Sequence, residues 1–332
     1  MEEEMRIKYI YCLISTPKDI YYEQVFISVT SLKMHNPNAF VTLFADKETI
    51  DSIKDRKADI RKIVDEIVVE NFESDVSNLK RSRILKTTMR NRIDGDFLYI
   101  DSDTIICQDL SEIESLDFDL GATLELHTSI SLNIFRPWTI RDLKIVLNEP
   151  DFYNYQHYFN GGLLFVRDTK FNREFFKKWN ENYLLGNKKG LLIDMPSLAL
   201  TNYQLGFPIK ELDGKWNVQV WFGANYLHNV KILHYFTHGD RKYEPFFHTL
   251  PLKLKETGYL TEGDLSLIAN PQGFFGKAVV IVTGDDYEVY RSNMVFFLRK
   301  LYKIKFLFKL IDEIFFLLRV IKDKLVVRNE NK

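Results

Sequence analysis

The chain has little of what marks a secreted or membrane-spanning protein. Its 332 residues include two cysteines, Cys12 and Cys107, which form neither a CxxC pair nor a Cys/His cluster with zinc spacing. A disulfide framework is therefore excluded, and the lack of any Asn-x-Ser/Thr acceptor agrees with a reducing compartment. No stretch of about 18 uncharged apolar residues occurs, so no ordinary transmembrane helix is expected.

An excess of charge of one sign is also lacking. The chain has 45 Lys+Arg against 46 Asp+Glu, a net charge of -1. This balance argues against a protein whose whole surface binds nucleic acid electrostatically. At the N-terminus, acidic residues precede a short apolar run, which is typical of neither a signal peptide nor a transit peptide. We therefore expect a cytoplasmic protein. With 45% hydrophobic and 27% charged residues, fibrous and wholly disordered classes are excluded.

Apolar runs and helical spacing alternate along the first hundred residues. The predicted elements are strand 7–14, helix 21–35, strand 40–44, helix 47–63, strand 67–69, helix 78–92 and strand 97–100. This alternation predicts an α/β fold with a mostly parallel central sheet. Further on, the pattern predicts strand 159–166, helices 171–184 and 193–204, and strand 232–236. Ligands of such sheets bind at the carboxyl ends of strands, so chemistry is expected after residue 100.

Two carboxylates leave the fourth strand together. Asp101 and Asp103 directly follow Phe97–Ile100, and residues i and i+2 of an extended segment point the same way. Carboxylate oxygens suit Mg²⁺ or Mn²⁺, and such an ion could hold a diphosphate and neutralise its charge as it leaves. The alternative is a surface pair of acids at a strand end.

The run FLYIDSDTII, residues 97–106, resembles the donor-binding strand of the GT-A glycosyltransferases, most closely glycosyltransferase family 8. The resemblance runs in order through much of residues 7–242. It implies a Rossmann-like GT-A nucleotide-diphospho-sugar transferase fold, a UDP-sugar donor, and Mn²⁺ (or Mg²⁺) as cofactor. Asp101 and Asp103 match the metal ligands, and Ser102 is expected to contact the donor.

A second match precedes that strand, in Ser82-Arg83-Ile84-Leu85, where the family has a small residue followed by Arg and Leu. The resemblance implies that Arg83 contacts the sugar nucleotide. The alternative is a solvated helix face, which the neighbouring Arg81, Lys86 and Arg90 also fit.

Two further matches follow the strand. Phe159–Leu164 (FNGGLL) resembles the family motif FNxGxLL. Its glycines, Gly162 included, let backbone approach a ligand or a neighbouring strand, and Asn160 can donate to and accept from sugar hydroxyls. The alternative is a Gly-rich turn with a capping Asn. Asp194 matches the family Asp that binds donor-sugar hydroxyls, but a helix N-cap needs an Asp equally well. Asn160 and Asp194 are thus the expected catalytic residues. Met195 replaces a family Gln near the reacting carbon, which weakens the implied retaining mechanism.

The last match is to the family pattern His-Phe-x-Gly-x-x-Lys-Pro-Trp. It implies that His234 is the third metal ligand and that Gly239 and Lys242 meet the diphosphate. The gap from His234 to Gly239 is two residues longer than in the family and the Pro-Trp is absent, so His238 is a rival ligand.

Softer matches concern packing and the nucleotide base. Lys215-Trp216-Asn217 resembles the short WN signature of the family, which we interpret as mainly structural. The base is expected near residues 16–21, with Tyr21 as the matching Tyr and Tyr22 as a close rival.

The C-terminal segment differs from the rest of the chain. Residues 296–328 hold nine basic and three acidic residues, and one helical face is wide and apolar. A basic amphipathic helix of this kind can lie in an anionic membrane surface, which would place the protein peripherally on the inner face of a membrane. The alternative is a terminal helix packed on its own domain or in a dimer interface.

We therefore predict a catalytic domain over residues 1–250, an extension over 251–295 and a basic amphipathic tail over 296–332. The expected reaction moves a sugar from a nucleotide-diphosphate donor to a glycan or lipid-linked glycan acceptor in surface polysaccharide or lipopolysaccharide assembly. Residues 127–158 and 243–290 are expected to shape the acceptor site. The alternatives are a non-catalytic sugar-nucleotide-binding protein and a nucleotidyltransferase, although the latter needs a Gly-rich loop that residues 15–20 lack.

Overall fold

The computed structural model describes residues 7–132, 136–146, 157–220, 222–235, 245–271 and 292–330. The chain divides into two units, residues 1–277 and 278–332. The strands of the first unit are β1 Lys8–Leu13, β2 Phe40–Asp46, β3 Glu66–Glu70, β4 Phe97–Ile100, β5 Thr104–Ile106, β6 Leu120–Ala122, β7 Leu163–Val166, β8 Lys210–Glu211, β9 Val218–Gln219 and β10 Ile232–His234. Its helices are α1 Tyr21–His35, α2 Lys47–Ser52, α3 Asn78–Thr88, α4 Arg136–Val146, α5 Lys170–Lys188, α6 Met195–Gln204, α7 Pro245–Thr257 and α8 Glu262–Ala269.

Seven strands form the larger sheet, in the order β3-β2-β1-β4-β7-β6-β8. Strands β3, β2, β1 and β4 are mutually parallel, and β6 is parallel to β8, whereas β7 runs antiparallel to both β4 and β6. The mostly parallel α/β architecture predicted from the sequence is confirmed. Strand β4, whose end carries the paired acids, lies at the centre of the sheet, between β1 and β7.

The central strands are apolar on both faces because helices cover both. Along β1, Tyr9 and Tyr11 face one cluster, together with residues of α1. The alternate residue Ile10 faces a second cluster that includes Leu85 of α3 and Trp179 of α5. Both faces of the strand are therefore buried, as a period of two between helical layers requires.

The single helix predicted over residues 47–63 is wrong. Helix α2 ends at Ser52, and two short 3₁₀ turns follow at 53–55 and 60–62. The side chain of Tyr22 accounts for the interruption, because its hydroxyl donates to Ala58 O (2.5 Å) and accepts from Ile60 N (2.9 Å). These bonds hold the segment against α1 and take the place of intrahelical ones.

Three short strands form a second sheet in the order β5-β10-β9. Strand β10 pairs antiparallel with β5, which sets His234 opposite Thr104, and parallel with β9, which sets His234 beside Gln219. This sheet brings a late part of the chain to the end of β4. Strand β10 ends at His234. Residue 236, the last of the predicted strand 232–236, and the following residues 237–244 lie outside the described residues.

The described part of the second unit, residues 292–330, forms helices α9 Asn293–Tyr302 and α10 Lys305–Glu330. Ser292 caps α9 by accepting from Val295 N (3.2 Å). None of the helices in the described parts of the chain combines the length and the apolar character needed to cross a membrane.

Candidate active site

The two acids after β4 are fixed by backbone bonds on both sides. Asp101 N donates to Gly162 O (2.8 Å), which extends the pairing of β4 with β7 by one residue. Thr104 Oγ1 donates to Asp101 O (2.8 Å) and closes the turn. Tyr235 N donates to Asp103 O (3.0 Å), which ties the turn to the exit of β10. The loop that presents both carboxylates is therefore held by two different strands.

Asp101, Asp103 and His234 come together at this loop. One candidate ligand atom from each lies within 4.8 Å of the other two, and among the residues that the structure describes no other such group of three is found. His234 Nε2 lies 3.2 Å from Asp103 Oδ1. Two carboxylates and an imidazole form a donor set that fits a divalent cation such as Mn²⁺. The structure thus brings together the three predicted metal ligands.

The ring of His234 is buried and oriented by a neighbour. Its Nδ1 lies 2.9 Å from Asn217 Oδ1, and Asn217 Nδ2 in turn donates to Asn160 Oδ1 (3.0 Å) and Thr123 Oγ1 (3.1 Å). With Nδ1–H donating to Asn217, Nε2 faces Asp103 as a ligand should. Burial would lower the pKa of His234, but the charge of Asp103 outweighs it and raises that pKa. Asn217, expected to be merely structural, thus orients a site residue.

Gly162 is required by the closeness of these side chains. A Cβ at this position would lie 2.5 Å from His234 Cε1, 2.8 Å from Asn160 Oδ1 and 3.0 Å from Asp101 Oδ2. Gly162 N also donates to Asn160 Oδ1 (2.8 Å). The second glycine of the FNGGLL motif therefore leaves the space in which Asp101, His234 and Asn160 meet.

Helix α3 turns two cations toward the same site. Arg83 and Lys86 are three residues apart and share a face of the helix. Arg83 Nε lies 3.2 Å from Asp194 Oδ1, and Lys86 Nζ lies 3.3 Å from Asp194 Oδ2 and 3.5 Å from Asp101 Oδ1. The alternative interpretation of this helix as a solvated basic face is wrong, since Arg81, Lys86 and Arg90 are all buried.

Asp194 is buried and serves this cluster instead of capping helix α6. Its backbone is helical (φ -92°, ψ -23°), and its side chain accepts no capping bond from the helix. Burial would raise the pKa of Asp194, but Lys86 and then Arg83 hold it below its usual value. The carboxylate is therefore charged at neutral pH. Asp194 occupies the N-cap position of α6, but the expected capping bond from its side chain is absent.

Glu125, which was not predicted as a site residue, lies beside Asn160. Glu125 Oε2 accepts from Asn160 Nδ2 (2.5 Å), and burial raises the pKa of Glu125. The two residues after it, Leu126 and His127, have positive φ (57° and 53°). The one signal for Glu125 in the sequence is that it is an acid three residues after β6. The left-handed turn that follows it contains no glycine, so it cannot be recognised from the sequence.

The side chain of Gln219 clamps this left-handed turn. Its Oε1 accepts from Leu126 N (2.7 Å), its Nε2 donates to Leu124 O (2.8 Å), and its backbone N donates to His127 Nε2 (3.0 Å). Burial lowers the pKa of His127 to about 4, so the ring stays neutral and its Nε2 stays an acceptor. Strained backbone of this kind persists where surrounding bonds over-determine it, often at functional sites.

The remaining predicted residues that the structure describes are Tyr21, its rival Tyr22, Ser102 and Met195. Tyr21 is exposed at the start of α1, whereas its rival Tyr22 is buried and occupied by the backbone bonds described above. Ser102 is half-buried between the two acids. Met195 packs against an apolar cluster that includes Leu191 and Leu200.

Three predicted site residues follow β10 in a segment that is outside the described residues. They are Gly239, Lys242 and the rival ligand His238.

Trp216 is buried, in agreement with a packing role for the WN pair.

Solved structures similar to this one include glycosyltransferases. Galactosyltransferase LgtC, solved with donor and acceptor sugar analogues, is 15% identical over 77% of this chain and 98% of its own, with a TM-score of 0.51. Glycosyltransferase GlyE of Streptococcus pneumoniae TIGR4 is 17% identical over 83% and 66% of the two chains, with a TM-score of 0.49. Mouse xyloside xylosyltransferase 1 is 14% identical over 69% and 97%, with a TM-score of 0.44. At such identities the likeness to LgtC shows the fold, which is that of the GT-A glycosyltransferases.

Residues 12–242, well over half of the chain, match the model of the family described as glycosyl transferase family 8. The chain belongs to this family, and it is a glycosyltransferase. No curated protein sequence matches it significantly. The nucleotidyltransferase and the non-catalytic alternative are thereby set aside.

Proposed function

We propose that this glycosyltransferase holds Mn²⁺ or Mg²⁺ through Asp101, Asp103 and His234 and transfers a sugar from a nucleotide-diphosphate donor, foremost a UDP-sugar. The supporting observation is the convergence of the three ligand atoms within 4.8 Å at the carboxyl end of the central strand. A divalent cation bound there would neutralise the negative charge that develops on the leaving diphosphate.

The neighbouring side chains supply binding and orientation. Arg83, which keeps a quarter of its side chain exposed while paired to Asp194, can turn toward a donor phosphate. The charged Asp194 and the amide of Asn160 provide acceptors and a donor for sugar hydroxyls. By resemblance, Gly239 and Lys242 would contact the diphosphate, and Tyr21 the base.

The acceptor is proposed to be a glycan or a lipid-linked glycan, as used in surface polysaccharide or lipopolysaccharide assembly. LgtC, whose structure contains both donor and acceptor sugar analogues, has the same fold. The family favours retention, in which the acceptor attacks from the face that the diphosphate leaves. Met195 offers no amide near the reacting carbon, so the anomeric configuration of the product, read by NMR, is the decisive measurement.

Calorimetry tests the donor site directly. UDP is titrated into the protein with and without Mn²⁺, and Asp103→Asn is titrated beside it. We expect UDP binding that needs Mn²⁺ and is lost in the variant, followed by a screen of UDP-sugars for turnover. If UDP does not bind but GDP or CMP does, the donor assignment is overturned and the metal site is kept.

We further propose that the tail contacts an anionic membrane surface on the cytoplasmic side. Helix α10 exposes large apolar side chains, namely Phe306, Leu310, Ile314, Phe315, Phe316, Leu317 and Leu318. Basic residues accompany them along the segment, which suits an interfacial helix. Sedimentation with phosphatidylglycerol vesicles should remove the protein from solution, and phosphatidylcholine vesicles should not. Equal recovery with both would favour packing of the tail on protein.

A further inference from the structure

Lys86 is a buried cation to which neither the sequence pattern nor the proposed reaction assigns a role. Its side chain is 4% exposed, and its ammonium lies 3.3 Å from Asp194 Oδ2 and 3.5 Å from Asp101 Oδ1. One of these carboxylates is a proposed metal ligand and the other a proposed sugar ligand. Lys86 therefore connects the two halves of the donor site.

The surroundings of Lys86 form a built cradle. Its ammonium lies 5.1 Å from the centroid of the Tyr99 ring, and the Tyr99 hydroxyl donates to Asp101 Oδ1, the same oxygen that faces Lys86. A Cβ at Gly161 would lie 3.1 Å from Asp194 Oδ2 and 3.3 Å from Lys86 Nζ, so the first glycine of the motif leaves room for this ion pair. A lysine withdrawn from water needs such compensation.

The position of this charge has opposite consequences for the two ligands of the proposed reaction. A positive charge that shares Asp101 repels a divalent cation and competes with it for the carboxylate. The same charge attracts a nucleoside diphosphate, which carries negative charge. In a partly buried site, such effects are not screened by salt as they are at a surface.

We propose that Lys86 is a positioning residue that holds Asp101 and Asp194 and couples the two ligands, disfavouring the cation alone and favouring the cation together with the donor diphosphate. This inference rests on the proposed metal-dependent function. It goes beyond that function because it makes Lys86 the residue through which the affinity for each ligand depends on whether the other is bound.

The test measures each ligand separately. Free Mn²⁺ is followed by electron paramagnetic resonance during titration of the wild type, Lys86→Met, Lys86→Arg and the control Lys80→Met, which removes a lysine from the first turn of the same helix. UDP is then titrated at saturating Mn²⁺. In Lys86→Met we expect Mn²⁺ alone to bind on the order of tenfold tighter and UDP on the order of tenfold weaker. Lys86→Arg and Lys80→Met should stay near the wild type.

General damage to the fold would weaken the binding of both Mn²⁺ and UDP, so it does not explain affinities that shift in opposite directions. If Lys86→Met weakens Mn²⁺ and UDP alike, or changes neither, the coupling role is overturned while the metal site stands. If the wild type binds no Mn²⁺ even in the presence of UDP, the proposed metal function fails as well. Should Lys86→Met not fold by circular dichroism, Lys86→Gln, which is also neutral, takes its place with the same expected signs.

Discussion

Asn217 Oδ1 lies 2.9 Å from His234 Nδ1, and this one bond fixes which ring nitrogen of His234 faces the acids. Removing it in Asn217→Ala should weaken Mn²⁺ binding about 10- to 100-fold, the range for partners that orient a metal-binding histidine. Mn²⁺ titration checks this, with Asn225→Ala on the exposed turn nearby as control. Equal affinity in both variants would contradict the orienting role.

Gly162→Ala should abolish binding of cation and UDP. The new methyl would lie 2.5 Å from His234 Cε1, closer than any real Cβ contact, so the imidazole must leave its place. Gly263→Ala in helix α8 is the control, because a Cβ there meets nothing closer than 3.9 Å. Calorimetry with Mn²⁺ and UDP distinguishes the two. Retained affinity in Gly162→Ala would mean that His234 is not a ligand.

Asp194→Asn should separate donor binding from transfer. The amide keeps the shape but not the charge that pairs with Arg83 and Lys86 and that we propose to orient the sugar hydroxyls. We expect UDP to bind at least as tightly as to the wild type, whereas kcat for sugar transfer falls on the order of 100-fold or more. Binding by calorimetry and turnover of a UDP-sugar are the two measurements. A variant with unchanged kcat would exclude Asp194 from catalysis.

Gln219→Ala should release the strained turn at Leu126 and His127. Leu126 N would lose its buried partner, at about 1–3 kcal/mol in the free energy of unfolding, and Leu124 O would keep only the bond from His127 N. The displaced Glu125 should also lower kcat. Glu125→Gln keeps an acceptor for Asn160 and should leave stability near the wild type. Urea denaturation of both variants gives the comparison, and equal stabilities would argue against the clamp.

Asp168→Asn should show a pH-dependent loss of stability far from the site. Burial would raise the pKa of Asp168, but the bond from Gly95 N and the charges of Arg90 and Arg173 lower it overall. A lowered pKa gives stability that is present above the unfolded value near 3.9 and lost as pH falls through the folded one. The free energy of unfolding of the variant should therefore be about 1–3 kcal/mol lower than that of the wild type at neutral pH. Below both values wild type and variant should converge in denaturation curves, and a pH-independent gap would contradict the linkage.

The sheet and the acids after β4 could be predicted because the relevant signals are local. A run of apolar residues into Asp101 and Asp103, with a spacing of two, specifies both a buried strand and a shared direction. His234 could be proposed from its place in the family pattern. The structure adds that the antiparallel pairing of β10 with β5 brings this residue to the acids.

Lys86, Glu125 and the break after α2 could not be predicted, since each depends on distant parts of the chain. A lysine on a basic helix has the same sequence signal whether it faces solvent or two carboxylates. The turn after Glu125 takes its shape from Gln219, which comes more than ninety residues later. The hydroxyl of Tyr22 ends a helical pattern some thirty-five residues away.

The pairing of His234 with Thr104 joins parts of the chain that are 130 residues apart in sequence. A growing polypeptide therefore contains the described strands of its larger sheet before it contains all three proposed ligands. A nascent or truncated chain that stops before β10 has both acids but no imidazole, and we expect it to capture neither cation nor donor. For the proposed site, affinity for Mn²⁺ would thus report that folding is finished, and an incomplete chain would not sequester the proposed sugar-nucleotide donor.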